Sequence, residues 1–299
     1  MSNFQYWYLN QGGEGLPAGA IAYRDRVEAD GGTVQSLGCI PSEVWDWVAP
    51  TYNAETLAMI ARAIADGLTL PSAANLSLIS STIDSLKAAG AWSIADRITF
   101  WGNDSCSTGF GTINAKTPSA DLATIINSIT LVNKKGVEGD GISAYIDTKY
   151  NPTTDAVNYG LDSASILLYQ YKVATVGFDL YGVGGSQVLR IRSRNTVLQR
   201  VNDTSNLNST VNFAQVGTIG VHKKNSVDVD VQVNGTISSR TYAGTATLPN
   251  SDLTLLAGAG ATVFGDSGVT MEWVGADASA VGVAIHTIME NYYNQLQLL

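Results

Sequence analysis

Val227-Asp228-Val229-Asp230-Val231-Gln232-Val233-Asn234-Gly235 alternates apolar and polar residues without exception and then stops on a turn dipeptide. Successive side chains of a strand point to opposite faces, so this run predicts a strand with a buried valine face and a second face that is wet or paired. Asn-Gly accepts positive φ at both central positions of a two-residue hairpin, which predicts a tight antiparallel return over 236–242. Working outward, the same period of two marks candidate strands at 97–101, 143–149, 163–171, 174–181, 187–193, 196–201, 215–223, 253–257 and 269–275. Many short strands at this spacing predict an antiparallel β-sandwich rather than a parallel α/β sheet.

The periodicity changes at both ends. Residues 18–30 read as a helix stopped by Gly31-Gly32. Residues 54–66 place Leu57, Ile60, Ala61 and Ile64 on one face behind Asn53 as N-cap, with Gly67 just beyond. Residues 75–89 repeat the plan with Leu76, Ile79, Ile83 and Leu86 before Gly90. In 278–297, Val281, Ile285, Ile288, Tyr292 and Leu296 form one apolar stripe, which predicts a helix docked on the sandwich or on a neighbouring subunit. The expected organisation is therefore a helical assembly region over 1–96 and a sandwich over 97–299 that ends in the docked helix.

Composition narrows the classes of function. Only 14% of the 299 residues are charged and 45% are hydrophobic, which excludes a disordered chain. A net charge of −9 argues against a basic nucleic-acid-binding face. The deficit is even: residues 1–135 carry 12 acidic and 8 basic residues, and residues 136–299 carry 14 and 9. A chain that buries its outer surface against copies of itself can dispense with an ionic coat. No apolar run approaches a membrane span, and the first residues carry no secretory signal pattern. Cys39 and Cys106 are open to either a disulfide or two buried thiols. Asn-x-Ser/Thr matches at Asn75, Asn103, Asn202, Asn208 and Asn234 read as by-products of composition.

Residues 136–155, GVEGDGISAYIDTKYNPTTD, resemble the opening of a concanavalin-like (laminin-G-like) sandwich found in bacteriophage and prophage structural proteins. The run Val229 to Gly235 resembles that module's strand and Asn-Gly hairpin, and Asp277-Ala278-Ser279 with Tyr292 to Leu296 is similar to its terminal helix. Residues 22–32 and 83–101 resemble the segment that often precedes it. The resemblance implies a mainly β, concanavalin-like or jelly-roll fold in a virion component such as a tail fibre, spike or head protein. Its implied partners are copies of itself and other virion proteins.

Several side-chain sets could carry chemistry. Asp228 and Asp230 sit on one strand face, where concanavalin-like glycosidases place their carboxylates beside a sugar. The third position is the non-ionising Gln232, so the reading favoured here is the polar face of a half-exposed strand. Glu138, Asp140 and Asp147 could offer oxygen ligands to a calcium ion, although their spacing matches no defined loop. Arg190, Arg192 and Arg194 form a guanidinium row suited to anionic glycans, to a neighbour's carboxylates or to local ion pairs. His222 and His286 make no zinc motif, and 182–186 lacks the lysine of a phosphate loop. Tyr6, Trp7, Tyr8, Trp45 and Trp47 are interface candidates, whereas Trp92, Trp101 and Trp273 fall inside apolar patterns.

These readings lead to a non-enzymatic structural virion protein without a cofactor. A carbohydrate-binding adhesin for a host glycan, or a capsid shell protein with jelly-roll layers, is the alternative; a polysaccharide hydrolase ranks last.

Overall fold

In the computed structural model, residues 228–233 are a strand that turns at Asn234 and Gly235, both at positive φ (48° and 75°), into the strand 236–241. Val233 pairs with Thr236 across that two-residue turn. The structure describes residues 51–105, 107–175, 179–183, 189–192, 200–203, 214–241, 247–258 and 263–299. The helix predicted at 18–30 lies outside them, as do Tyr6, Trp7, Tyr8, Cys39, Trp45, Trp47, Cys106, Arg194 and Asn208. So does most of the strand predicted at 196–201.

In chain order the described elements begin with helices α1 (Ala54–Ala65) and α2 (Ala73–Ala88). Strands β1 (Ala95–Phe100), β2 (Thr124–Ile126), β3 (Thr130–Val132), β4 (Gly136–Glu138), β5 (Tyr145–Asp147) and β6 (Ala164–Lys172) follow. Next come β7 (Asp179–Val183), β8 (Arg190–Arg192), β9 (Gly217–Lys223), β10 (Asp228–Val233) and β11 (Thr236–Thr241). The chain closes with β12 (Leu253–Leu255), β13 (Ala257–Gly258), β14 (Val263–Phe264), β15 (Gly268–Gly275) and helix α3 (Gly282–Leu296).

Every strand pairing among the described residues is antiparallel. One eight-stranded sheet runs β11-β10-β9-β6-β15-β4-β3, with β1 also paired to β15. A five-stranded sheet runs β2-β5-β12-β7-β8, and β13 pairs with β14. The two large sheets face each other across one hydrophobic core: Ile166, Leu168, Val221, Val229 and Val231 on one side meet Ile146, Tyr181, Ile191 and Leu255 on the other. This is the mainly β antiparallel sandwich that the alternation predicts.

The other face of the large sheet is covered as well. Leu167, Tyr169, Met271 and Trp273 alternate away from the first core and pack against Met59, Ile79, Ile83, Ile285, Met289 and Tyr292 of the three helices. That double burial explains why β6 is buried along all but its last residue and β15 along its whole length. The described residues thus stack in three layers: helices, eight strands, five strands. Pro50–Leu299 is one compact unit, and the expected 96/97 boundary falls inside it, between α2 and β1.

Helix signals read locally hold where they concern ends. Asn53 accepts from Thr56 N–H at 2.9 Å, and Gly67 and Gly90 follow their helices at positive φ. The buried face of α1 differs from expectation. Thr56, Met59 and Ala63 are inside, whereas Leu57, Ala61 and Ile64 are exposed and Ile60 is half-buried. Packing on α2 selects the Met59 face, and two apolar stripes on one helix cannot be ranked by periodicity alone. In α3, Met289 takes the buried place expected of Ile288, which is half-buried. Between the strands expected at 97–101 and 143–149 lie β2, β3 and β4, each three residues long and too short for a period to show.

Candidate functional site

The outer face of the five-stranded sheet brings together members of two residue sets singled out from sequence, Asp147 of one and Arg190 and Arg192 of the other. Strand register aligns Ile125, Ile146, Leu255, Tyr181 and Ile191, all turned into the inter-sheet core. The neighbouring row, Thr124, Asp147, Thr254, Gly182 and Arg190, must then point outward, because side chains alternate. Asp147 and Arg190 are three strand spacings apart in that row, roughly 14 Å at about 4.8 Å per strand. Arg192 lies two residues along β8 from Arg190 on the same side, half-buried where Arg190 is buried.

The middle of the row is roofed. A Cβ on Gly182 would lie 2.6 Å from Gly258 Cα, so only glycine lets the β13–β14 hairpin rest there. Thr254 Oγ1 donates to Ala257 O at 2.8 Å and secures that roof. At the acidic end, Lys149 Nζ lies 2.5 Å from Asp147 Oδ2 and 4.0 Å from Asp252 Oδ2. Partial burial and then the adjacent Asp147 charge push the Asp252 carboxyl above its ordinary value, and Lys149 opposes them. The face therefore carries an exposed hydroxyl (Thr124), paired carboxylates with an ammonium, and the half-buried Arg192 guanidinium. Those groups suit hydrogen bonding to a polyhydroxylated or anionic ligand.

The other predicted residues fall into separate structural roles. Glu138, on β4 of the opposite sheet, accepts from Tyr171 OH at 3.0 Å and from Lys172 Nζ at 2.6 Å. Asp140 accepts from the backbone N–H groups of Ile142, Ser143 and Ala144, each at 2.8 Å. Slight burial pushes its pKa up, but those N–H donors and the Ser143 hydroxyl outweigh it and hold the carboxyl at about 2. Glu138, Asp140 and Asp147 do not converge, and no group of three or more His, Cys, Asp or Glu among the described residues could hold a metal ion.

Asp228 and Asp230 are not an open carboxylate pair either. Asp230 is 5% exposed and accepts from Lys224 Nζ at 2.8 Å and Ser239 Oγ at 2.7 Å. Burial raises its pKa, but these donors outweigh it and hold the carboxyl below the ordinary range. Asp228, half-buried, accepts from Asn225 Nδ2 at 2.8 Å. Gln232 is fully buried against α3, so this face of β10 is covered at Asp230 and Gln232 and half-buried at Asp228. Trp101 and Trp273 are core residues, whereas Trp92 is half-buried beneath Lys116 Nζ, 4.7 Å from its ring centre. Asn75, Asn103 and Asn202 are fully buried.

Two polar centres escaped the reading of sequence. Between the sheets, Arg97 Nε donates to both oxygens of Glu272 at 3.2 Å, and Thr99 Oγ1 and Tyr181 OH donate to the same carboxylate at 2.8 and 2.5 Å. Arg97 Nη1 donates to Thr148 O at 2.9 Å. The available signal was a charge inside each of two otherwise apolar runs, Arg97 beside Asp96 in ADRITF and Glu272 in GVTMEWVG. The second centre is Asp96, which accepts from Tyr150 OH at 3.0 Å and from Tyr159 N–H at 2.8 Å, and also takes Asn158 N–H and Nδ2.

No protein family and no curated protein matches the sequence. Among solved structures, domain 4 of AbnA, an extracellular GH43 arabinanase from Geobacillus stearothermophilus in complex with arabinotriose, is similar at 12% identity. That match covers 64% of this chain and 98% of that one, with a TM-score of 0.42. The botulinum neurotoxin serotype D binding domain matches at 10% identity over 67% of this chain and 53% of its own, with a TM-score of 0.41. A Trypanosoma rangeli sialidase matches at 14% identity over 72% and 39%, again at 0.41. The chain thus spans about half of the toxin domain and two-fifths of the sialidase. At these scores the architecture rests on the strand pairing itself.

Proposed function

We propose that this chain is a non-enzymatic sandwich module that binds a polyhydroxylated ligand, a glycan, on the outer face of its five-stranded sheet. Following the resemblance of residues 136–155 and 229–235, the module is displayed on a bacteriophage particle and serves attachment. The observation that carries the reading is the outward row of the five-stranded sheet, where exposed Thr124 and half-buried Asp147, with half-buried Arg192 at the far end, place hydroxyl, carboxylate and guanidinium groups on one face. The carboxylates proposed from sequence for hydrolysis favour the non-enzymatic side. Asp230 is held ionised by Lys224 and Ser239, so it has no proton to give a leaving group.

A glycan array probed with the full chain tests the reading. Binding to one glycan class, weakened at least about tenfold in Asp147→Asn and Arg192→Ala, is the expected result, with the bound glycan recovered intact. No binding across the array, or cleavage of the bound glycan, overturns it.

A second reading, a structural contact inside a particle, is favoured by α1. Leu57 and Ile64 are 52% and 64% exposed on one apolar helix face, which suits burial against a copy of this chain or another particle protein. Cross-linking from Leu57→Cys in intact particles distinguishes the two.

A further inference from the structure

His222 is one of two histidines in the chain, and it is fully buried on β9 where α3 begins. Its hydrogen bonds fix the place of one ring hydrogen. Gln232 Nε2 donates to Gly282 O at 2.8 Å, which leaves Gln232 Oε1 as an acceptor 2.8 Å from His222 Nε2. Nε2 therefore carries the hydrogen. On the other side, Ser165 Oγ receives Ala278 N–H at 2.8 Å and sits 3.0 Å from His222 Nδ1. In the neutral ring Nδ1 is then bare, and the serine hydroxyl donates its hydrogen to it. One neutral tautomer thus satisfies a chain of donors running from the loop before α3, through β6, β9 and β10, back to the first residue of the helix.

The helix start is seated directly on this chain. A Cβ at residue 282 would lie 2.3 Å from Gln232 Oε1 and 3.2 Å from His222 Nε2, so Gly282 lets backbone and imidazole meet. We propose that His222 is an acid-sensitive latch for the C-terminal helix: neutral, it holds the start of α3 on the sheet, and protonated, it releases it. A second ring hydrogen at Nδ1 would turn the Ser165 hydroxyl from donor to acceptor, so the serine's own hydrogen would lose its acceptor, and it would place a charge on a fully buried ring. Release of α3 would uncover Ile285, Met289, Tyr292 and Leu296 together with the Phe100 and Trp273 surface they cover.

The charged groups around the ring do not cancel this. Burial pushes His222 below its usual 6.5, ahead of the Gln232 hydrogen bond and the Asp277 and Asp230 carboxylates, which favour the cation, while Lys224 disfavours it. Asp230 is already held by Lys224, and Asp277 accepts from Ser279 N–H at 2.9 Å. From α3 itself, His286 contacts Thr218 Oγ1 at 3.1 Å and Glu290 at 3.6 Å. Since the docked state holds the ring below its free value, the open state binds the proton first. The latch is fully engaged above about pH 6.5 and weakens as pH falls, by up to about tenfold per pH unit for one proton.

Hydrogen exchange of the full chain between about pH 7 and pH 5, corrected for intrinsic rates, tests the latch. Protection of the 282–296 amides should fall up to about tenfold per unit below about pH 6, while β6 amides hold. His222→Gln should abolish that slope and His286→Gln should keep it. A helix whose protection is flat with pH in the wild type, or whose slope persists in a folded His222→Gln, overturns the latch. If that variant does not fold, ¹⁵N spectra of wild-type imidazoles decide. A bare Nδ1 at neutral pH, with ring protonation and helix opening in the same pH window, supports it; an Nδ1–H tautomer overturns it.

Discussion

Replacing Glu272 by Gln isolates the charge of the inter-sheet ion pair while keeping its shape. In the native chain the Glu272 carboxylate is 0% exposed and takes four donor contacts from Arg97, Thr99 and Tyr181. The Arg97 side chain is 2% exposed, and its Nη2 has no hydrogen-bond partner, so Glu272 is the counter-ion on which its charge depends. The Gln amide keeps one acceptor and turns an NH₂ toward groups that are themselves donors. Breaking one side of a buried pair in this way costs about 3–5 kcal/mol, because the remaining charge stays buried without compensation. For a unit of this size that lowers Tm by roughly 6–20 °C, and with an m-value of about 3 kcal/mol/M it lowers the urea midpoint by about 1–1.7 M.

Urea titration followed by tryptophan fluorescence measures the loss, and a second variant isolates its cause. Arg97→Met with Glu272→Gln removes the stranded cation, leaving the Thr99 and Tyr181 hydroxyls an amide oxygen to share. The double variant should be more stable than Glu272→Gln alone, by at least about 1 kcal/mol. A cost for Glu272→Gln below about 1 kcal/mol, or strict additivity of the two changes, would refute the argument that the pair is coupled and dry.

Three further outcomes follow from packing and from local hydrogen bonds. Gly282→Ala should cost about 1–3 kcal/mol in thermal denaturation, since its methyl displaces Gln232 from His222; an effect within about 0.5 kcal/mol would mean that the helix start is not seated there. Met59→Ala should cost about 2–5 kcal/mol, whereas Leu57→Ser on the opposite face of α1 should stay within about 0.5; the reverse order would restore the face expected from periodicity. The Asp140 carboxyl should titrate at about 2 by ¹³C NMR, below its ordinary 3.8. Because the folded value is the lower one, its contribution to the 140–144 turn is complete above about pH 4 and is lost as pH falls toward about 2. A midpoint at 3.8 or above would show that the three N–H donors are not engaged.

The strands were legible where one rule sufficed. Val227 to Gly235 announced both the valine face and its turn, because a period of two and an Asn-Gly dipeptide are local properties. The covering layer was not legible in the same way. Asp230 and Gln232 read as a wet face, yet α3 and the Lys224 side chain cover them, and that contact joins residues about fifty apart. The same limit applies to α1, where Leu57 and Met59 offer rival faces and only the docking of α2 decides between them. For the candidate site, Asp147 and Arg190 were named separately and for different ligands. Their membership of one outward row depends on β12 and β7 lying between them, a strand order that no local pattern encodes.

Low charge and buried charge belong to one argument. Asp96, Arg97, Arg190, Asp203, Lys223, Asp230 and Glu272 are all under 9% exposed in a chain with few charges to place. Arg97 and Glu272 join β1 and β15 to Tyr181 of the facing sheet, and Asp96 fixes the turn around Asn158. A buried charge of this kind adds little net stability over a well-packed apolar pair, but it penalises any arrangement that separates it from its partner. Strands that are hydrophobic on both faces, as β6 and β15 are, could otherwise slip by two residues and still bury apolar side chains. Arg97 against Glu272 forbids that slip, since a two-residue shift would strand both charges. The outward row on the five-stranded sheet inherits this restraint through Tyr181, which hydrogen-bonds Glu272 from the residue beside Gly182. A rigid, correctly registered sheet is what a preorganised binding face requires. Tyr181→Phe should therefore preserve the fold yet weaken ligand binding on the Asp147–Arg190 row, which calorimetric titration with the array-identified glycan would measure; unchanged affinity would separate the buried ion pair from the binding face.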